Sequence, residues 1–241
     1  MADQIFEHPR LAAVYDAFDD DRSDLLAYLG IVREFGARDV LDLGCGTGTF
    51  ALLAAAQGCR VTGVDPTAAS LEVARAKPQA GQVTWIQGDA RSLPEAQVVD
   101  LVTMTGNVAQ AIADPADWQA TLAAAHSVLR PGGHLVFETR DPAFRAWEDW
   151  NRRSTHRTID LPGEGLVENW VDVTEIGWPL VTFRGTWVFH RDGVTLTSDS
   201  TLRFRERGEV EADLRVHGFE GVAVREAPDR PGREFVFTAR A

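Results

Sequence analysis

Val40-Leu41-Asp42-Leu43-Gly44-Cys45-Gly46-Thr47-Gly48-Thr49-Phe50 decides how the 241-residue chain is read. An apolar run gives way to glycines at alternate positions and then to residues that open a helix. A strand that turns this sharply needs residues without side chains at the turn, and the helix that follows offers backbone N–H groups without partners. Such a corner binds a nucleotide-like ligand. Asp42 narrows the choice. A carboxylate just ahead of the first glycine repels a pyrophosphate and welcomes a cationic ammonium group.

Two more strand ends follow in order. Val61-Thr62-Gly63-Val64-Asp65-Pro66 is an apolar strand closing on an acid about twenty residues after Gly44, the separation at which a nucleotide-binding sheet sets a carboxylate on ribose hydroxyls. Val83-Thr84-Trp85-Ile86-Gln87 then runs into Gly88-Asp89-Ala90. The D-x-G-x-G-x-G spacing resembles motif I of the class I S-adenosylmethionine (SAM) methyltransferases, whereas the dinucleotide fingerprint spaces its third glycine differently. Gly88-Asp89-Ala90 resembles the adenine motif of that family, and Leu129-Arg130-Pro131-Gly132-Gly133 resembles its segment ahead of the fifth strand. The resemblance implies that the glycine loop holds the methionine end of SAM and that Asp89 accepts from the adenine amine while the Ala90 N–H reaches the ring. Tyr15-Asp16 resembles a segment that closes over the cofactor. The expected cofactor contacts are Tyr15, Asp42, Gly44, Cys45, Gly46, Gly48, Asp65, Pro66, Asp89, Ala90, Thr105 and Gly106.

Periodicity sets the rest of the frame. Helical spacing runs from Leu11 to Phe18 and from Asp24 to Phe35, after which strands and helices alternate from Val40 to Thr139. Alternation of this kind predicts an α/β, doubly wound, mostly parallel sheet. Ala51 to Gln57 and Ala68 to Lys77 are the first crossover helices and Val98 to Thr105 the fourth strand. Asp114-Pro115 caps and opens a helix that reaches Leu129, and the fifth strand spans His134 to Thr139. Glu209 to His217 is a last helix. Gly221 to Val224 and Glu234 to Ala239 complete a seven-stranded Rossmann-like sheet whose last strand is antiparallel, as the family resemblance implies.

The texture changes after Asp141-Pro142. Five of the seven tryptophans fall between Phe144 and Arg205, with strands expected over Val167 to Ile176, Leu180 to His190 and Val194 to Phe204 and an Asp-Gly hairpin turn at Arg191-Asp192-Gly193. The chain is therefore divided into a SAM-binding domain, 1–143 and 206–241, and an inserted antiparallel subdomain, 144–205, expected to roof the carboxyl end of the sheet. Trp147 and Trp150 should stand nearest the pocket mouth, whereas Trp170 and Trp187 bury into the small sheet.

Composition removes several classes. The net charge is −12, from 36 acids against 24 Lys and Arg, and no basic cluster interrupts it, so nucleic acid is not expected as a partner. No apolar run is long enough for a membrane span, and Met1 to Arg10 lacks the pattern of an export signal. Cys45 and Cys59 sit where small residues are wanted, which points to a reducing, cytoplasmic setting. No His and carboxylate grouping has metal-ligand spacing; His156 and His190 lie in or near the insertion and are more simply solvated or structurally paired.

Methyl transfer from a sulfonium needs alignment and exclusion of water more than an elaborate dyad, and no general base stands out in the sequence. Thr105-Gly106-Asn107-Val108-Ala109-Gln110 ends the fourth strand, where the fold brings protein beside the transferred methyl. Asn107 and Gln110, with Trp147 and Trp150, are the candidate substrate residues, and capping or bridging roles compete for the first two. The expected reaction is transfer of a methyl group from SAM to N or O of a small molecule. An NAD(P)-dependent oxidoreductase on the same sheet, and a SAM-binding partner protein without catalysis, are the alternatives.

Overall fold

Strands buried on both faces carry apolar residues at adjacent positions, and each pair of neighbours faces opposite sides of the sheet. The computed structural model, which describes residues 3–19, 21–93 and 98–241, shows this pattern directly. Leu101 and Val102 point into different cores, as do Leu135 and Val136, and Val236 and Phe237.

Helices α1 (Gln4–Glu7), α2 (Pro9–Phe18) and α3 (Asp24–Glu34) precede the sheet. Then come β1 (Asp39–Leu43), α4 (Thr49–Ala56), β2 (Arg60–Asp65), α5 (Ala68–Ala76), β3 (Val83–Gln87), β4 (Val99–Met104), α6 (Val108–Ala111), α7 (Pro115–Val128) and β5 (Leu129–Arg140). Asp114 caps α7 by accepting from the N–H groups of Ala116 and Asp117, with Pro115 at the first turn. The insertion contributes α8 (Arg152–Thr155), β6 (Arg157–Leu161), β7 (Gly165–Gly177), β8 (Leu180–Phe189) and β9 (Val194–Arg203), after which the chain returns through α9 (Arg207–Val216), β10 (Glu220–Glu226) and β11 (Glu234–Arg240).

The main sheet has the order β10-β11-β5-β4-β1-β2-β3. β1 to β5 are parallel, and β11 runs antiparallel between β5 and β10. The fold is thus the expected doubly wound, seven-stranded, mostly parallel sheet with a separate antiparallel sheet, β6-β7-β8-β9. One core packs α7 and α9 on the first face through Trp118, Leu122, Val210 and Leu214; the other packs α3 and α4 through Leu25, Leu29, Phe50 and Ala54.

Three details differ from the sequence expectation. β5 begins at Leu129 and includes Pro131-Gly132-Gly133, because the chain end pairs with that segment: the Gly132 N–H donates to the Ala241 carbonyl at 2.7 Å and the Ala241 N–H to the Gly133 carbonyl at 2.9 Å. The second sheet gains β6, a short strand whose Arg-Thr-Ile-Asp-Leu has too few apolar residues to announce itself. Part of that sheet's core is also shared with the rest of the chain. Val167, Trp187 and Phe189 pack with Ile5, Leu11 and Val14 of the amino-terminal helices, and the Ile5 N–H donates to Ser198 Oγ at 2.9 Å.

Candidate active site

The glycine corner forms at the carboxyl end of β1. Gly44, Gly46 and Gly48 have φ of 71°, 53° and 80°, a region that residues with a Cβ rarely adopt. At Gly44 space decides as well as backbone: a Cβ there would lie 2.6 Å from a methyl of Val108, so the loop presses against the start of α6. The corner is tied to β2. Gly44 and Cys45 donate to the Val64 carbonyl at 2.8 and 3.0 Å, and the Gly46 N–H donates to Asp65 Oδ2 at 2.9 Å. Asp65 Oδ1 accepts from the backbone and hydroxyl of Thr67. The first two sequence motifs therefore meet in a single hydrogen-bonded unit.

Asp42 is 1% exposed. Its Oδ1 accepts from Thr103 Oγ1 at 3.0 Å, while Oδ2 is buried with no partner among the described residues. Burial pushes its carboxyl up to about 7; the Thr103 hydroxyl draws it partway back, and the Asp65 charge adds to the rise. A buried acceptor without a donor is costly, so this oxygen fits a cationic ligand group. Asp89 accepts from the Arg91 N–H at 2.9 Å in a capping box with Ser92 and pairs with the Arg91 guanidinium, which holds its carboxyl below the usual range. Ala90 beside it is buried and Pro66 is exposed.

The amino-terminal helices lie over this corner. Asp16 accepts from Thr47 Oγ1 at 2.6 Å and pairs with Lys77 Nζ at 2.6 Å, so one carboxylate ties α2 to both the glycine loop and the end of α5. Burial and the nearby Asp19 push the Tyr15 phenol up.

At the end of β4, Thr105 is buried, Gly106 is exposed with φ of 75°, and Asn107 has φ of 62°. Asn is among the few residues with a side chain that tolerate this region. The Asn107 N–H donates to Glu138 Oε1, and Tyr28 Oη donates to Glu138 Oε2. Glu138 is 4% exposed, and burial pushes its carboxyl up to about 7, offset in part by those two donors. Gln110 Oε1 accepts from the backbone and guanidinium of Arg140, each at 3.1 Å. Buried Arg205 holds α6 from the far side, donating to the carbonyls of Ala109 at 2.8 Å and Ile112 at 2.7 Å.

The candidate tryptophans separate differently from the sequence expectation. Trp147 is 5% exposed and packs on Val181, Leu202 and Phe204, so it is a core residue and not one of the pocket mouth. Trp150 is half-buried, 4.9 Å from the Phe183 ring and 5.4 Å from the Arg140 guanidinium. Trp187 is buried as expected, whereas Trp170 stays half-exposed between Arg152 and His156 because it faces away from the shared core. His156 and His190 both bond to Glu168, a structural pairing. Among the described residues no cluster has the makings of a metal site.

Sequence reasoning brought together Asp42, the glycine loop, Asp65 and Asn107, and the structure sets all of them at the carboxyl ends of β1, β2 and β4. It missed Tyr28 and Glu138. The only signal for Glu138 is an acid in the otherwise apolar Leu135-Val136-Phe137-Glu138.

Comparison with known proteins agrees with this frame. Residues 40–133 match the family described as methyltransferase domain. The chain is 34% identical over 119 residues to the cypemycin N-terminal methyltransferase of a Streptomyces species, covering 49% of each chain. It is 39% identical over 114 residues to the ubiquinone biosynthesis O-methyltransferase of Serratia proteamaculans, covering 46% of each. The chain spans about half the length of the curated relatives it matches. Among solved structures it resembles SAM-bound CalS10, an amino pentose methyltransferase from Micromonospora echinaspora, with a TM-score of 0.73, 25% identity, and coverage of 95% of this chain and 97% of that one. The fold and site define a Rossmann-like nucleotide-binding protein of the SAM type. More particularly, residues 40–133 match a methyltransferase domain, and the chain as a whole resembles SAM-bound methyltransferases in fold, a likeness that makes S-adenosylmethionine its cofactor.

Proposed function

We propose that the protein transfers a methyl group from SAM to a nitrogen or oxygen of a small organic molecule. The observation that carries this reading is buried Asp42, whose unpartnered Oδ2 and neighbouring positive-φ glycines fit the ammonium end of SAM and repel a dinucleotide. Asp42 and the loop Gly44, Cys45, Gly46 and Gly48 would hold the methionine end, Asp65 with Pro66 the ribose, and Asp89 with Ala90 the adenine. SAM supplies an electrophilic methyl group. The chain aligns the partners and excludes water, with Tyr15 and α2 above the site and Thr105 and Gly106 beside it.

Residues 1–143 and 206–241 serve as the cofactor-binding unit, and 144–205 as the cap over the acceptor. Support comes from the course of the chain: the insertion leaves β5 at Arg140, its carboxyl end, where ligands of such sheets bind, and Arg203 and Arg205 return against α6. Asn107 and Gln110 follow β4 at this end and Trp150 lies over Arg140, so on this reading they meet the acceptor, with Trp147 supporting them from the core of the cap. Relatives named for both N- and O-methylation support a small acceptor. The net charge of −12 argues against nucleic acid as the substrate. No helix among the described residues is long and apolar enough to cross a membrane. The free thiols of Cys45 and Cys59 suit the cytoplasm.

The test is turnover. Incubation with methyl-labelled SAM and a panel of small amines and alcohols should give S-adenosylhomocysteine (SAH) in step with a labelled product. Tight SAM binding with no turnover across extracts and panel would instead favour a non-catalytic SAM-binding protein.

A further inference from the structure

Four buried polar atoms without partners among the described residues belong to residues at or just beyond the carboxyl ends of β1, β4 and β5: Asp42 Oδ2, Asn107 Oδ1, Gln110 Nε2 and Thr139 Oγ1. Buried polar groups in folded proteins almost always find a partner, so orphans at the ligand-binding end of such a sheet mark atoms whose bonding a ligand can complete. Asn107 is the best fixed of them. Its backbone is left-handed, its N–H is held by Glu138, and its neighbour Val108 lies against Gly44 of the cofactor loop.

Among the described residues Glu138 has no direct cation partner; it takes one hydrogen bond from Tyr28 of α3 and one from Asn107. A carboxylate buried in this way costs more than a neutral residue in the same place, and neither core needs it for packing. We propose that Glu138, braced by Tyr28, is the positioning residue of the acceptor site: it fixes Asn107 so that the Asn107 amide oxygen receives an N–H of an amine acceptor beside the transferred methyl. The inference rests on the methyl-transfer reading above and narrows its acceptor to an amine. An amide oxygen is a hydrogen-bond acceptor but not a base. It orients a neutral amine, which keeps an N–H while its lone pair attacks, whereas a hydroxyl would have to surrender its only proton to a stronger base. Glu138 is not that base, because both of its oxygens are already engaged and it is buried beneath Asn107.

Sinefungin tests this without the acceptor, since it carries an amine where SAM carries the sulfonium methyl, and SAH carries nothing there. Wild-type protein should bind sinefungin about tenfold or more tighter than SAH, the worth of one charge-assisted hydrogen bond. Asn107→Gly keeps the left-handed backbone and removes the amide; it should abolish that preference while SAH affinity changes less than about threefold. Glu138→Leu and Tyr28→Phe should reduce the preference in the same way, and Glu138→Gln, which still accepts from the Asn107 N–H, should restore it. If Glu138→Leu fails to fold, Asn107→Gly and Tyr28→Phe decide. Normal SAH binding with the sinefungin preference untouched in Asn107→Gly overturns this inference alone. A wild-type protein that binds neither SAH nor sinefungin overturns the methyl-transfer reading beneath it.

Discussion

The backbone N–H of Gly46 donates to Asp65 Oδ2 at 2.9 Å, so the acid that ends β2 also holds the cofactor loop that follows β1. On the proposed reading, ribose recognition and loop shape share this one carboxylate. Replacing Asp65 by Ala removes the ribose acceptor and loosens the loop together. SAM affinity should fall by at least roughly 1.5 to 3 kcal/mol, the worth of hydrogen bonds to a charged group. Calorimetry checks this, and unchanged affinity in the variant would remove Asp65 from the ribose.

The second prediction concerns protons. Asp42 and Glu138 are both raised to about 7, chiefly by burial. The unfolded chain gives up these protons near pH ~4. Because the folded values are raised, their contribution to stability is complete below about pH 4 and is lost as the pH rises through about 7. A cationic ligand group beside Asp42 favours its charged form, so SAM binding at about pH 6.5 should release a proton. Titrations in two buffers of different ionisation enthalpy should give different apparent heats for the wild type and equal heats for Asp42→Asn. Equal heats in both proteins would mean that Asp42 does not meet the cation.

Third, the two tryptophans at the start of the cap should behave unequally. Trp147→Ala empties a core site against Phe204 and Val181 and should cost about 3 to 5 kcal/mol in chemical denaturation. Trp150→Ala, half-exposed over Arg140, should cost less than about half of that and act mainly on acceptor affinity. Equal losses of stability would contradict the packing described for Trp147.

Much of this arrangement can be read from the residue order. Asp42, Gly44, Gly46, Gly48 and Asp65 lie on short local motifs whose spacing is fixed by one turn and one crossover, so the sequence reports them without knowledge of the fold. Glu138 and Tyr28 meet only because β5 and α3 pack together from 110 residues apart. Nothing local marks either one. Trp147 is a similar case: its position after Asp141-Pro142 suggested a pocket mouth, but Leu202 and Phe204, which bury it, arrive only when the chain returns from the cap. The strand β6 escaped because its pairing with β7, rather than its own five residues, makes it a strand.

The central claim is that this corner takes the amine, ribose and adenine of SAM and refuses a dinucleotide. Side-by-side calorimetric titration of the purified protein with SAM, SAH, NAD and NADP tests it most directly. SAM and SAH should bind with Kd on the order of micromolar, about −8 kcal/mol, and the dinucleotides should give no saturable heat. Saturable binding of NAD or NADP, with none for SAM or SAH, would contradict the account.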